Sequence, residues 1–210
     1  MHAPPRRTGR PLSFNRDAAL RQAMLTFWRH GYETTSVAEL TAAMGVSAPS
    51  LYTAFGDKKQ LFLEAMRLYA GDPADLERMI AVAPTAFHAA RELMTAAAAT
   101  YTGEATPRGC LLASATASGS AAAADVQRAV ADIRRGIECC LRVRIERDIK
   151  DSVLPPGTQA APLAGLVLAV TQGMSVLARD GASRTVLLAV VEAALRAWPG
   201  VKADDQALVP

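Results

Sequence analysis

Residues 36–59, SVAELTAAMGVSAPSLYTAFGDKK, decide how this chain is read. Ser36 and Glu39 stand at capping-box spacing, so a helix is expected to begin at Val37. Val37, Leu40 and Met44 then recur on one helical face. Gly45 is the expected end of that helix, because glycine enters the left-handed region without steric cost. Val46 packs beneath the turn. Ser47 caps a second helix with Leu51 and Phe55 on its inner face. Pro49 falls in that helix's first turn, where its missing N–H removes no helical bond. Two short helices around a glycine turn make a helix-turn-helix, a motif whose second helix enters the DNA major groove.

With Leu51 and Phe55 facing inward, Ala48, Pro49, Ser50, Tyr52, Thr53 and Ala54 are left outward or at the rim. Hydroxyls of this size reach acceptors on base edges, and Ala48 or Pro49 can touch a thymine methyl. Asp57 with Gln60 starts a further helix and puts Lys58 and Lys59 in its first turn. Cations at that positive pole are unfavourable by about 0.3–1 kcal/mol each. A DNA phosphate would offset this, since helix N-termini and lysines both favour phosphate. Thr34, Thr35 and Ser36 precede the first of the two helices, with hydroxyls and backbone N–H groups placed for phosphate contact. Ser47 is expected at the DNA as well as in its capping role.

At these residues the chain resembles the TetR family of transcriptional repressors. The matching positions are Phe27-Trp28-x-x-Gly31-Tyr32-x-Thr34-Thr35-Ser36, Gly45-Val46-Ser47, Ser50-Leu51-Tyr52, Phe55-Gly56-Asp57-Lys58 and Leu61-Phe62, preceded by Gly9-Arg10-Pro11. They cover roughly the first third of the chain. Thr53-Ala54 replaces the bulkier pair common in the family, so base preference does not transfer. The resemblance implies an all-α chain of about nine helices: a three-helix DNA-binding head followed by a helical ligand-binding and dimerisation domain. The expected division is 1–67 for the head, 68–198 for the second domain and 199–210 for a tail.

Composition agrees. Half the residues are hydrophobic and 5% are aromatic, which suits helix packed on helix better than strands. The net charge of +3 is uneven: residues 1–67 carry +4 and the remainder −1. The basic excess therefore accompanies the DNA-reading motif, as phosphate neutralisation requires. Residues 1–13 hold Arg6, Arg7 and Arg10 among prolines. They read as a solvated leader or as an arm following the minor groove. The basic N-terminus is followed by no apolar run, and three cysteines without an export signal suit a reducing cytoplasm.

Further helices are expected at 15–30, from 57 to about 69 with a break at 71–73, and at 84–102, the last opened by Pro84 in its first turn. A small-residue helix beginning near Cys110 is expected to run to about Ser118. The longest helix, 121–151, has an apolar side through Val126, Val130, Ile133, Ile137, Leu141 and Ile145. Its opposite charges four apart, Glu138 with Arg142 and Arg144 with Asp148, read as a solvated face. Helices at 160–179 and 183–198 follow. Their apolar positions Leu163, Val167, Val170, Leu187, Val190, Val191 and Leu195 either complete the core or pair with a second copy. The latter is preferred, because one reading helix per half-site needs a two-fold partner. The apolar run 163–178 is interrupted by Thr171, Gln172 and Ser175, which suits a buried helix better than a membrane span.

No cofactor, metal site or catalytic constellation is expected. The three histidines show neither triad order nor metal spacing. Met66, Tyr69, Phe87, Met94, Tyr101, Cys110, Leu111 and Met174 are ordinary core residues by type. The resemblance implies that such positions line a site for a small apolar effector. Cys110 follows Arg108-Gly109 at a helix start, where a cation and the dipole favour a thiolate. It is read as an electrophile sensor or as a small buried hydrophobe. The expected partners are thus a double-stranded operator, a small effector and a second copy of the chain, with no membrane.

Overall fold

The structure, a computed structural model, describes residues 14–114 and 124–200. Its described residues form helices α1 (Arg16–His30), α2 (Val37–Met44), α3 (Ala48–Phe55), α4 (Lys58–Ala70), α5 (Pro73–Val82), α6 (Ala86–Tyr101), α7 (Leu111–Ser114), α8 (Ala124–Lys150), α9 (Ala160–Arg179) and α10 (Arg184–Leu195), with no strand. The all-α expectation holds, with nine longer helices and the four-residue α7.

Side-chain caps set most of the helix starts. Asn15 accepts from Ala18 N, Ser47 from Ser50 N, and Asp57 from Gln60 N. Both halves of the Ser36–Glu39 capping box are present. Gly45 lies in the left-handed region at φ 65° and ψ 35°, as the turn requires.

Two local expectations are corrected, and a third lies partly outside the described residues. Asp72 caps a further helix at once, with Pro73 at its first position, so the break after α4 leads directly into α5. Only Ile80 of α5 is fully buried, which explains its faint periodicity. Pro84 precedes α6 rather than opening it, because the Thr85 side chain takes the cap. The expected extent of the helix from Cys110 to Ser118 lies partly outside the described residues, which end here at Ser114.

In the head, α1 packs on α2 and α4. Phe27, Leu40, Leu51, Leu61 and Phe62 are fully buried, and Phe27 meets Phe62 edge-on with centroids 5.0 Å apart. These residues belong to one hydrophobic cluster that continues to Trp198. The expected boundary at residue 67 falls inside α4. Helix α9 is long and apolar enough to cross a membrane by length and composition alone, with mean hydropathy 1.6. It packs against α6, α8 and α10.

The Arg144–Asp148 pair reverses its expected role. Both side chains are buried, at 7% and 3% exposure, and Nε donates to Oδ1 at 2.9 Å. The guanidinium also donates to the carbonyls of Ile80, Ala81, Ala83 and Pro84. The Asp148 carboxylate accepts from Ala86 N. The pair therefore caps two helix ends at once, collecting the last carbonyls of α5 and the first N–H of α6. Periodicity could not reveal this, because the partners lie about sixty residues away in the chain. On the solvated face, Arg142 pairs with Glu146 rather than Glu138.

The apolar C-terminal helices also face differently from expectation. Leu163, Val167, Leu187, Val191 and Leu195 are buried within their own subunit, and Val170 and Val190 are half-buried. The outward stripe is instead Leu166, Ala169, Gly173, Val176 and Leu177 on α9, continued by Val186, Ala189 and Ala193 on α10. A helix apolar on two faces does not announce which one turns inward.

Arg144→Ala should lower unfolding free energy by about 3–5 kcal/mol, because it strands a buried carboxylate and several carbonyls. The double change Arg144→Met with Asp148→Leu should be less harmful than the single one. Urea unfolding of both variants checks this ordering.

Candidate nucleic-acid interface

Helix α3 is seated by Leu51 at 0% and Phe55 at 2% exposure, and its other side is open. Ala48, Pro49, Tyr52 and Thr53 are exposed, with Tyr52 at 50%, while Ser50 and Ala54 are half-buried. Ser47 is exposed and its hydroxyl lies 2.8 Å from that of Ser50. Thr53 Oγ1 donates to Pro49 O at 2.8 Å, and the residue remains exposed. The segment thus projects a short face of small and hydroxyl-bearing groups, as the sequence implies.

Arg16, which the sequence reading passed over, fixes this helix from behind. Its guanidinium donates to Ala54 O, lies 4.4 Å from the centroid of the Phe55 ring, and pairs with Glu64 at 2.7 Å. One side chain thereby ties α1, α3 and α4 together. Nothing local in the sequence separates Arg16 from an ordinary solvated first-turn arginine.

The flanking residues divide. Thr34 is exposed, with its hydroxyl bonded to His30 O. Thr35 is a correction: it is fully buried and its hydroxyl donates to Gly31 O at 2.6 Å, so it closes α1 instead of facing outward. Ser36 is exposed, but its N–H donates to Glu39 Oε2 at 2.7 Å, so the capping box already uses that donor. That bond and the Ser36 hydroxyl hold the Glu39 carboxyl below its usual range. Arg10 lies outside the described residues.

Both lysines have partners within the chain. Lys58 Nζ donates to Glu33 O at 3.2 Å and sits 4.8 Å from the Tyr32 ring centroid. Partial burial holds its pKa below the usual lysine value. Lys59 pairs with Asp125 at 2.9 Å, which raises its pKa and links α4 to the start of α8. The Lys59 pair is solvent-exposed and Lys58 has no ion-pair partner among the described residues, so a phosphate can compete for either cation.

Behind the head, a chain of contacts joins α1 to the loop before α7. Trp28 Nε1 donates to Gly109 O at 3.1 Å, and its ring meets Tyr69 edge-on with centroids 4.8 Å apart. Tyr69 Oη donates to Cys110 Sγ at 3.3 Å. Burial, followed by the proximity of Cys110, pushes the Tyr69 and Tyr101 phenols well above their ordinary value, so both stay protonated. Cys110 N donates to Ser175 Oγ at 2.8 Å, and Arg179 donates to Cys110 O at 3.2 Å. Gly109 stands at φ +82°, and a Cβ there would lie 2.9 Å from Ser175 O. Arg108, expected beside the thiol, is directed instead to the carbonyls of Ala178 and Ala182. The Trp28–Gly109 bond spans 81 residues, beyond the reach of any local sequence signal.

Of the residues expected around an effector, Met66, Phe87, Met94, Tyr101, Cys110, Leu111 and Met174 are buried in the common core, with Tyr69 packed partly buried against it. Phe87 also borders a surface cleft of about 340 Å³ between the start of α6 and the end of α10. No cluster of metal-binding side chains occurs among the described residues.

Residues 19–65 match the family described as bacterial regulatory proteins, tetR family. Over 193 residues the chain is 33% identical to the HTH-type transcriptional repressor ComR of Escherichia coli (strain K12), covering 91% of this chain and 92% of that protein. Among solved structures it is similar to a cysteine mutant of the TetR family transcriptional regulator CifR complexed with 26-bp double-strand operator DNA. That match has 41% identity and a TM-score of 0.85, and covers 91% of this chain and all of the other. A putative TetR transcriptional regulator from Rhodococcus sp. RHA1 matches at 35% identity and a TM-score of 0.60, over 86% of this chain and 97% of that one. With the helix-turn-helix exposed on a helical body and relatives aligned over nearly its full length, the chain belongs to the TetR family and is a DNA-binding transcriptional regulator.

Proposed function

We propose that the protein is a cytoplasmic homodimeric repressor that sits on a pseudo-palindromic operator and leaves it when a small apolar effector binds the second domain. The observation that carries the reading is the exposed face of α3, seated on a buried Leu51 and Phe55. Ala48, Pro49, Ser50, Tyr52 and Thr53 would read base edges. Thr34, Ser36, Ser47, Lys58 and Lys59 would hold phosphates, with Arg10 reaching from the N-terminal arm.

The dimer reading rests on the apolar stripe that α9 and α10 leave exposed, where Leu166, Val176, Leu177 and Val186 are each at least 38% exposed. Gly173 and the alanines of the stripe would let backbones approach closely. A face of this kind is costly to leave in water, and a two-fold copy would bury it while presenting two α3 helices to half-sites one turn apart. Release then follows as population shift: an effector among the central helices stabilises a conformer whose heads no longer fit that spacing. The Trp28–Gly109 bond and the Trp28–Tyr69 contact supply a direct mechanical path from those helices to α1.

One observation favours a second trigger. Cys110 is 2% exposed and carries the Tyr69 hydrogen bond, so any group added to Sγ must displace packed neighbours one contact from Trp28. An electrophile alkylating this thiol would then act on the head by the same path.

Tyr52→Ala should weaken binding to an operator selected from randomised duplex by about 1–3 kcal/mol. Lys58→Ala should shrink the salt slope by about 0.9; unchanged affinity and slope at matched salt would remove the assignment of this face. Val176→Glu should give a monomer in sedimentation and lose cooperative operator occupancy, and a variant that stays dimeric counts against the α9–α10 interface. Cys110→Ser should abolish operator release by N-ethylmaleimide while keeping DNA affinity, and continued release would eliminate the thiol trigger.

A further inference from the structure

The cleft of about 340 Å³ between the start of α6, the end of α8 and the end of α10 lies apart from both the DNA face and the Cys110 loop. It is bordered by Thr85, Phe87, His88, Arg91, Leu154 and Trp198, among others. Three buried side-chain polar atoms among the described residues have no hydrogen-bond partner: Arg91 Nε, Thr158 Oγ1 and Trp198 Nε1. Two of the three belong to residues lining this one cleft. A buried donor without a partner forfeits its hydration with no return, so native proteins rarely keep one without a reason. Trp198 is 5% exposed and packs against Phe87, with ring centroids 6.0 Å apart, so the neighbourhood is aromatic as well as donor-rich.

The charges at this cleft are paired within the chain, and the polar groups left unmet there are donors. Asp148 is there, but Arg144 and Ala86 N occupy its two oxygens. Arg91 lies 5.0 Å from the centroid of Phe87 and gives Nη2 to Glu192 at 3.2 Å, leaving Nε without a partner. A neighbouring cavity of about 240 Å³ shares Phe87 and Arg91 and adds Glu192, Leu195 and Arg196. His88 Nδ1 is engaged with Thr85 Oγ1. The unmet groups are therefore two enclosed N–H donors, one of them cationic, beside apolar walls from Phe87, Leu154 and Trp198, and side-chain rotation is needed to bring them to a ligand. Such a site accepts a hydrogen-bond acceptor carried on a flat apolar body.

We propose that this cleft binds a small aromatic carboxylate, whose carboxylate takes the Arg91 Nε–H and Trp198 indole N–H while its ring lies along Phe87 and Leu154. Its volume is at the lower end of small-molecule pockets, about 300–1,000 Å³, which suits a one-ring acid. The site stands independently of operator binding and its test uses no DNA.

The chain has two tryptophans, so a ¹⁵N-labelled full-length sample shows two indole N–H resonances. Trp28 is already bonded to Gly109 and serves as the internal reference. Benzoate, titrated at constant ionic strength, should shift the Trp198 resonance saturably with a Kd of about 1 mM or tighter and leave Trp28 in place. Arg91→Gln should raise that constant about tenfold, as should Trp198→Phe followed by calorimetry. Benzyl alcohol, which keeps the ring and lacks the charge, should bind more weakly than benzoate. If Arg91→Gln fails to fold, the Trp198→Phe calorimetry decides alone. The proposal is overturned by no saturation up to about 10 mM benzoate, by equal movement of both resonances, by affinity indifferent to the substitutions, or by benzyl alcohol binding equally well.

Discussion

An eight-residue helix has too few internal hydrogen bonds to persist in water, so α3 exists because something holds it. Leu51 and Phe55 supply that hold, each burying apolar area worth about 1.5–3 kcal/mol. Arg16 adds direction by bonding the last turn of α3 to α1 and α4. The consequence for function is geometric. The outward residues can be small and varied, because none of them is needed to keep the helix folded. The residues of the outward face are thereby separated from the stability beneath it.

The same separation recurs in the second domain. Arg144 and Asp148 spend no apolar area, yet they gather the end of α5 and the start of α6 onto α8 through a buried ion pair. A buried pair is weak evidence for stability, since apolar residues of similar volume often do as well. Its value here is register: several carbonyls must coincide at one guanidinium, so α5 and α6 have one permitted arrangement. The cleft with the unpartnered Arg91 and Trp198 donors opens on the same end of α6. Rigid placement of that end is what would let the cleft distinguish one ligand from another.

Between the two lies the Trp28–Gly109 contact. Tryptophan suits it because one end of the ring is apolar and the other carries a donor. The apolar body packs against Tyr69 and the N–H reaches a loop carbonyl that no helix claims. Gly109 must be glycine for that loop to pass Ser175 and Arg179 closely. The loop is therefore joined to α1 by a direct side-chain contact.

Much of the head was legible from residues alone, because caps and turn glycines act over three or four positions. Ser36 with Glu39, Gly45 and Ser47 each specify their own helix end, and the structure keeps every one. The all-helical class was implied by the family resemblance and agreed with composition. What required the tertiary structure were contacts between residues far apart in the chain. Arg144 looks solvated until four carbonyls from about sixty residues earlier in the chain surround it. On α9 and α10, both faces are apolar enough to be buried, so composition could not choose between Val167 inward and Leu166 outward. Local chemistry determines where helices begin and end; which side of each one meets water is decided only when the other helices arrive.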